Sequence, residues 1–324
     1  MASPQGPRGG LSRVDVRTIA LVVNPKAGHG VALDAAREAS ARFAERGVDV
    51  IELQGSSPED ARRLIRRTLD AGGIDALAVA GGDGMINLAL QEQAGTGIPL
   101  GIIPAGTGND HARQYGLPRD DAAAAADVIV GGHVLTTDLG RITPKSGPES
   151  DARWFGTIMC SGFDSLVSDR VNVMTWPHGR NRYNLAIVVE FLNFHALPFR
   201  ITLDDGTVLD ERMTLAAFGN TTSYGGGMLI CPTADPCDGL LDITVIGKAG
   251  RLKAALVFRK VFEGGHVGEK EVTVHRTRRA TVEFLGDRTM NAYADGDFMM
   301  PMPVVVEAVP GAGRYLVPAP APED

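Results

Sequence analysis

The strongest constraint on this chain is a rhythm in its N-terminal part. Apolar runs at Thr18–Val23, Ala76–Ala80 and Leu100–Ile103, and a further strand-like run at Val48–Leu53, each stop at a turn of glycine, proline or small polar residues. Helix-forming residues follow the first three. Val31–Arg46 ends at Gly47, a good C-terminal cap. Ser57-Pro58-Glu59-Asp60 opens the next helix, with Ser57 as N-cap, Pro58 in the first turn and two acids at the positive end of the dipole. That helix stops at Gly72-Gly73, and a third is expected from about Met85 to Gln93. Strands spaced by helices at this pace pair in parallel through helical crossovers, which makes an open α/β sheet. Such sheets bind ligands at the carboxyl ends of their strands. The glycine-bearing loops 24–30 and 81–84 both follow strands, so both are expected at that edge.

Beyond Asp138 the texture changes. Trp154–Cys160, Phe199–Leu203, Val208–Phe218, Leu241–Ile246, Val272–His275, Thr281–Leu285 and Val304–Ala308 read as strands, and Asp205-Gly206 is a hairpin-turn signal. Helices are expected near 183–195 and 250–263, and the alanine-rich Asp121–Asp127 stretch reads as helix. A chain of 324 residues exceeds the usual single core, so one large or two medium domains are expected. The net charge of −7 argues against a nucleic-acid partner, which would demand a basic surface. Cys160, Cys231 and Cys237 are too few and too irregular for a disulfide framework or a zinc site, and read as buried thiols. No apolar run approaches the ~18 residues needed to span a bilayer. The start, MASPQGPRGG, has no apolar core of a signal peptide, so residues 1–17 are expected to be a flexible tail and the protein cytoplasmic.

The turns carry the chemistry. Gly81-Gly82-Asp83-Gly84 lies between an apolar strand and a helix N-terminus. Glycines there let main-chain N–H groups approach an anion, and the helix dipole favours phosphate. A carboxylate beside phosphates needs a Mg²⁺ or a proton, which makes Asp83 the informative residue; the other reading is a tight turn with a solvated aspartate. Asn24-Pro25-Lys26-Ala27-Gly28-His29-Gly30 is a second strand-to-helix turn, without the spacing of a Walker A loop. Gly106-Thr107-Gly108-Asn109-Asp110 is a third. Thr107 can meet a phosphate or ribose, or cap the next helix.

In this order and spacing, the Asn-Pro-x-x-Gly, Gly-Gly-Asp-Gly and Gly-Thr-Gly-Asn-Asp elements resemble the diacylglycerol kinase catalytic family, which includes bacterial lipid kinases and sphingosine and ceramide kinases. The likeness continues through Asp138-Leu139-Gly140, Tyr224-Gly225-Gly226-Gly227, the Pro232 to Asp242 block and Asp295-Gly296-Asp297, covering roughly residues 18–318. It implies an N-terminal open α/β nucleotide-binding domain (18–138) and a C-terminal β-sandwich-like, lipid-substrate domain (139–311). A strand at about 312–318 returns to the first domain, and the active site lies in the cleft. ATP as co-substrate would lie over Asn24, Pro25, Lys26, Ala27, Gly28, Gly81, Gly82, Asp83, Gly84, Met85, Ile86, Asn87 and Thr107.

The same resemblance implies that Asp83 approaches the Mg²⁺–phosphate assembly, that Asp297 stands where the family's general base stands, and that Asp138 acts beside it. Asp238, with main-chain oxygens of Asp235 and Leu240, matches a second, structural Mg²⁺ site; read alone, Asp238-Gly239 is a turn before a strand. Three departures stand out: Met85 where threonine is usual, Leu88 where an acid is usual, and Asp297 where glutamate is usual. His29, His111 and His266 stand at no metal-ligand spacing and receive no catalytic role. Arg276, Arg278 and Arg279 read as a solvated strand edge. Tyr183–Leu197 reads as core or as the wall of an acyl-chain cleft. Arg251–Phe262 reads as an ordinary amphipathic surface helix or as one that rests on a membrane. The expected partners are a lipid acceptor and the inner face of the membrane, with a homodimer possible. A small-molecule kinase resembling NAD kinase, and a catalytically silent lipid binder, are the alternatives.

Overall fold

The computed structural model describes residues 10–24, 30–162, 165, 170, 174 and 196–320. The expected helix near 183–195 lies outside the described residues. The chain divides into two compact units, one of Met1–Leu139, Asp235–Asp238 and Val309–Asp324, the other of Gly140–Ala234 and Gly239–Ala308.

In the first unit, β1 (Leu11–Arg13) precedes β2 (Thr18–Val23), α1 (Val31–Glu45), β3 (Asp49–Gln54), α2 (Pro58–Ala71), β4 (Ala76–Gly81), α3 (Asp83–Gln93), β5 (Leu100–Pro104), α4 (Asp110–Gln114) and α5 (Ala122–Gly131). The strands β3, β2, β4 and β5 lie side by side and all parallel. Their residues alternate between two faces, as the pleat requires. Ile19, Leu21, Ala76, Ala78 and Ile103 share one core with Ala36, Ala39 and Phe43 of α1 and Ala125 and Ile129 of α5. Small residues let these helices come close: a Cβ on Gly101 would stand 2.7 Å from the Ile129 side chain. On α2, Ser57 Oγ accepts from the Asp60 N–H at 3.2 Å, the cap expected from sequence. Asp121 Oδ1 caps α5 in the same way, accepting from Ala124 N–H at 2.8 Å.

Among the described residues, the expectation of a flexible tail over 1–17 needs correcting from Leu11 onward. Leu11–Arg13 pairs antiparallel with β6 (His133–Pro144), Leu11 opposite Leu135, and Val16 is buried. Val14 N–H then donates to Gly132 O, and this carries the chain into β2.

In the second unit, β7 (Arg153–Phe155), β8 (Ile158–Gly162), β9 (Leu197–Leu203), β10 (Val208–Gly219), β11 (Leu241–Gly247), β12 (Val272–Thr277), β13 (Arg279–Phe284), β14 (Asn291–Ala294) and β15 (Asp297–Pro301) pair antiparallel. The expected Trp154–Cys160 strand is broken at Gly156-Thr157, because both N–H groups there turn away to a carboxylate described below. β10 is long: its first half pairs with β9, its second half with β8 and β11. Ala216 and Phe218 face one core, together with Phe155, Phe199 and Val282. Leu215 and Ala217 face another, closed by Val257 and Val261 of the helix Arg251–Val261. The strand β16 (Val304–Leu316) pairs antiparallel with β13 over Val304–Glu307 and in parallel with β5 at Tyr315, opposite Leu100. The expected strands at Val304–Ala308 and near 312–318 are therefore parts of one strand.

Candidate active site

In the first unit the ends of β4 and β5 carry the two glycine turns seen in sequence, and the turns touch backbone to backbone. A Cβ on Gly106 would lie 2.4 Å from Gly82 Cα and 2.9 Å from Asn109 Oδ1, and a Cβ on Gly82 would lie 3.0 Å from Gly106 Cα. Only two glycines admit this approach. The contact is fastened by Ala105 N–H, which donates to Gly81 O at 2.9 Å. The second turn is closed on itself: Gly106 N–H donates to Asn109 Oδ1 at 3.0 Å, while Asn109 Nδ2 donates back to Gly106 O at 2.9 Å. Asn109 takes a left-handed conformation, φ 51°, which asparagine tolerates better than most residues. Thr107 is left exposed at the rim.

Asp83 is the first residue of α3, with Gly82 as its N-cap, so the expected start at Met85 moves back to include the acid. Its side chain is 18% exposed. One oxygen, Oδ1, lies 3.3 Å from both the main-chain N and the ring Nδ1 of His111. Burial works against the charge on Asp83, but the hydrogen bond and charge of His111, with the N–H groups of His111 and Asp110, outweigh it. The carboxyl therefore sits below its ordinary range. His111 is wholly buried, and its ring stands 6.2 Å from that of Tyr315 on the returning β16, which in turn stacks on Tyr115 at 4.4 Å. The sequence reading gave His111 no role; the structure makes it the partner of Asp83. The available signal was its place in the first turn of the helix after Gly106–Asn109, a turn that follows the strand Leu100–Ile103 just as Gly81–Gly84 follows Ala76–Ala80.

The other nucleotide-site candidates separate by burial. Ile86 is wholly buried in α3, so it can meet a ligand only through its main chain. Met85 folds over the corner, its Cβ standing 2.9 Å from where a Cβ on Gly81 would be. Asn87 is buried and its Oδ1 accepts from Gln91 Nε2 at 3.1 Å, which makes it part of the helix scaffold. Gly84 is exposed and Asn24 partly so. Pro25, Lys26, Ala27 and Gly28 lie outside the described residues.

Asp138, on β6, is buried, accepts from Gly311 N–H at 3.2 Å through Oδ1, and donates its own N–H to Pro236 O at 2.6 Å. It ties β6 to the return strand and to the short segment Asp235–Asp238. In that segment Asp235 Oδ1 accepts from Cys237 N–H at 3.0 Å, and Asp238 is exposed before Gly239. Among the described residues no three His, Cys, Asp or Glu side chains gather as a metal cluster. A site made of one carboxylate and main-chain oxygens is of a different kind.

In the second unit Asp295 and Gly296, φ 51° and 84°, form the two-residue turn between β14 and β15. Asp295 is buried, and its carboxylate accepts from Gly156 N–H, Thr157 N–H (each 2.8 Å) and Thr157 Oγ1 (2.5 Å). Asp297, the next acid, opens β15 and is exposed. Two nearby aspartates with opposite environments thus divide scaffold from reach. Asp242 is likewise scaffold: it is buried, accepting from Arg276 Nε at 2.8 Å and Thr233 Oγ1 at 2.5 Å. Arg276 is exposed on β12, which among the described residues pairs with β11 alone, as the solvated-edge reading expects, and it also serves as the cross-strand partner of this buried acid. The three cysteines are free thiols, and burial pushes the Cys231 thiol up to about 12.

Comparison with known proteins agrees with this architecture. Residues 18–142 match the diacylglycerol kinase catalytic domain family, and residues 157–317 match the YegS C-terminal NAD kinase beta sandwich-like domain. A diacylglycerol kinase of Mycobacterium tuberculosis is 50% identical over 310 residues, covering 96% of this chain and 98% of that protein. A probable lipid kinase, YegS-like, of Pseudomonas aeruginosa is 30% identical over 266 residues, covering 81% of this chain and 83% of that one. The crystal structure of a putative diacylglycerol kinase from Bacillus anthracis str. Sterne superposes with a TM-score of 0.75 at 23% identity, covering 94% of this chain and 99% of that one, a likeness of fold.

Proposed function

The chain belongs to the diacylglycerol kinase family of lipid kinases, and from that premise we propose that it moves the γ-phosphoryl group of ATP, with Mg²⁺, onto the free hydroxyl of diacylglycerol to give phosphatidic acid. The observation that carries this is the paired glycine turn with an ionised aspartate at its centre. Two backbones in contact, at the start of a helix, make a surface that polyphosphate can approach closely. The low-lying carboxyl of Asp83 fits a hard divalent cation, which takes oxygen donors. When bound, Mg²⁺ would neutralise charge that builds on the phosphoryl oxygens.

The remaining work falls to residues of this chain. Phosphoryl transfer asks a protein mainly to position reactants and cancel charge. Asp83 would hold the cation side of the nucleotide, oriented by His111. Thr107, Gly84 and Asn24 would line the nucleotide from the exposed rim. Asp297 would accept the proton of the lipid hydroxyl; its exposure lets it meet an incoming acceptor. Asp138 would act by holding the return strand in place. Asp238, with the main-chain oxygens of Asp235 and Leu240, would hold a second, structural Mg²⁺.

The relatives named above support a lipid acceptor over a soluble dinucleotide, and the NAD kinase likeness in the C-terminal match is one of sandwich fold. The test is to incubate the protein with γ-labelled ATP, Mg²⁺ and diacylglycerol in mixed micelles, with NAD in a parallel tube. Labelled phosphatidic acid is the expected product. Label in NAD alone would replace the acceptor, and no label with nucleotide binding intact would make the protein a silent binder.

A further inference from the structure

We infer that the helix Arg251–Val261, with Phe262 and Val267 just after it, is the surface by which this protein settles on an anionic lipid membrane. The inner side of the helix is accounted for: Ala254, Val257 and Val261 are buried, and Val257 and Val261 close the core over Leu215 and Ala217. The outer side is not what a solvated helix presents. Leu256 is 59% exposed, Phe262 53% and Phe258 39%, and Val267 is exposed as well. Leu256, Arg259 and Phe262 follow one another at i, i+3 and i+6, so they form one ridge that turns by only about 60° per step. Phe258 packs edge-on against Phe262, ring centroids 5.9 Å apart, which widens the ridge into an aromatic pad. Four of the eleven large apolar side chains that the described surface exposes lie within this one short stretch.

Charge says what covers the pad. From Lys248 to Lys270 the chain carries Lys248, Arg251, Lys253, Arg259, Lys260 and Lys270 against Glu263 and Glu269, six cations to two anions, a net +4. The whole chain is −7, so everything outside this stretch is −11. A cationic stretch in an otherwise acidic protein is drawn to an anionic surface. Lys253 and Lys260 both hold Glu269, and Lys253 also lies 3.5 Å from Glu271; these pairs lock the helix to the strand end that follows. Lys248, Arg259 and Lys270 are exposed. Apolar side chains interleaved with cations on one helical face are the composition of an interfacial helix. The choice of a bilayer over an acidic protein rests on the lipid-kinase reading, since an acceptor dissolved in a membrane must be met there.

The test is co-sedimentation with vesicles of phosphatidylcholine alone and of phosphatidylcholine with phosphatidylglycerol, without nucleotide. The parent is expected to bind the anionic vesicles and to bind the neutral ones far less. The double substitution Phe258→Ser, Phe262→Ser should weaken anionic-vesicle affinity by about tenfold or more. Arg259→Glu should also weaken it by about tenfold or more while leaving the apolar pad intact. Melting temperature is followed in each, and should the double variant misfold, Arg259→Glu decides alone. All should still phosphorylate a short-chain diacylglycerol in detergent as fast as the parent. Equal binding by parent and variants, equal binding to neutral and anionic vesicles, or no vesicle binding by the parent would each overturn the assignment. Vesicle binding with a silent detergent assay would instead refute the kinase reading and leave the surface standing.

Discussion

Replacing Gly106 by alanine tests whether the contact of the two glycine turns matters to function. The added methyl carbon would start 2.4 Å from Gly82 Cα and 2.9 Å from Asn109 Oδ1. Carbon atoms rest at ~3.5–4.0 Å, so the turns must part by about 1 Å. Neither neighbour can yield by rotating a side chain, because one is main chain and the other is held by two hydrogen bonds to residue 106 itself. Overpacking of this kind costs about 1–3 kcal/mol of stability. A displacement of about 1 Å at a reacting centre costs ~10²-fold in rate. Gly106→Ala should therefore remain folded, melt a few degrees lower, and lose roughly 10²-fold in kcat/KM for ATP by the labelled-lipid assay. Gly131→Ala is the control: it lies in α5 of the same unit, with the nearest atom 3.7 Å from the new Cβ, and should be neutral or slightly stabilising. Wild-type kcat/KM in Gly106→Ala would refute the idea that the touching turns hold the nucleotide.

Other substitutions read other parts of the site. Asp83→Asn should abolish transfer and leave a folded protein. The Asp83 carboxyl is depressed in the folded state, so its contribution to stability is present above the ordinary aspartate range of about 4 and is lost as pH falls through the lower folded value. Thermal melts of parent and variant should thus differ most at neutral pH and converge on acidification. Asp297→Asn, at an exposed position, should leave the melt unchanged and cut kcat by about 10²- to 10⁴-fold, as loss of a general base does; full activity would remove Asp297 from the mechanism. Asp295→Ala should do the reverse in kind, costing on the order of 3 kcal/mol in denaturant unfolding because two buried N–H groups and a hydroxyl lose their acceptor.

What the sequence disclosed followed from periodicity. The parallel strands β2, β4 and β5 were legible because each is an apolar run buried on both faces that ends at a glycine or proline turn, and β3, mostly exposed at the sheet end, because it lies between two well-marked helices. β6 was not read as a strand, because Thr136, Thr137 and Asp138 interrupt its apolar character and take up contacts inside the protein. β14 and β15 escaped because they are short and their Ala and Met residues carry little strand signal. The acids of the site were legible as positions but not as environments. Nothing local to Asp295 says that its carboxylate will be taken by Gly156 and Thr157, or that Asp242 faces Arg276 across β11 and β12. Those partners are set by strand register, which is a property of the assembled sheet.

Environment then sorts the aspartates more sharply than the motifs do. Asp138, Asp242 and Asp295 are buried; Asp138 and Asp295 accept from main-chain N–H groups and Asp242 from the side chains of Arg276 and Thr233, so each helps hold strands and turns together. Such a carboxylate is costly to bury and costly to unpair, and it has little freedom to follow a reacting group. Asp83 and Asp297 have the environments that their proposed roles need. Asp83 is mostly enclosed yet kept ionised by His111 at the mouth of two touching turns, a fixed charge suited to a fixed cation. Asp297 stands in the open at the start of a strand, next to a turn that Asp295 has made rigid. A motif that reads Asp-Gly-Asp therefore holds one acid that builds the turn and one that is left exposed beside it, where the proposed general base would stand.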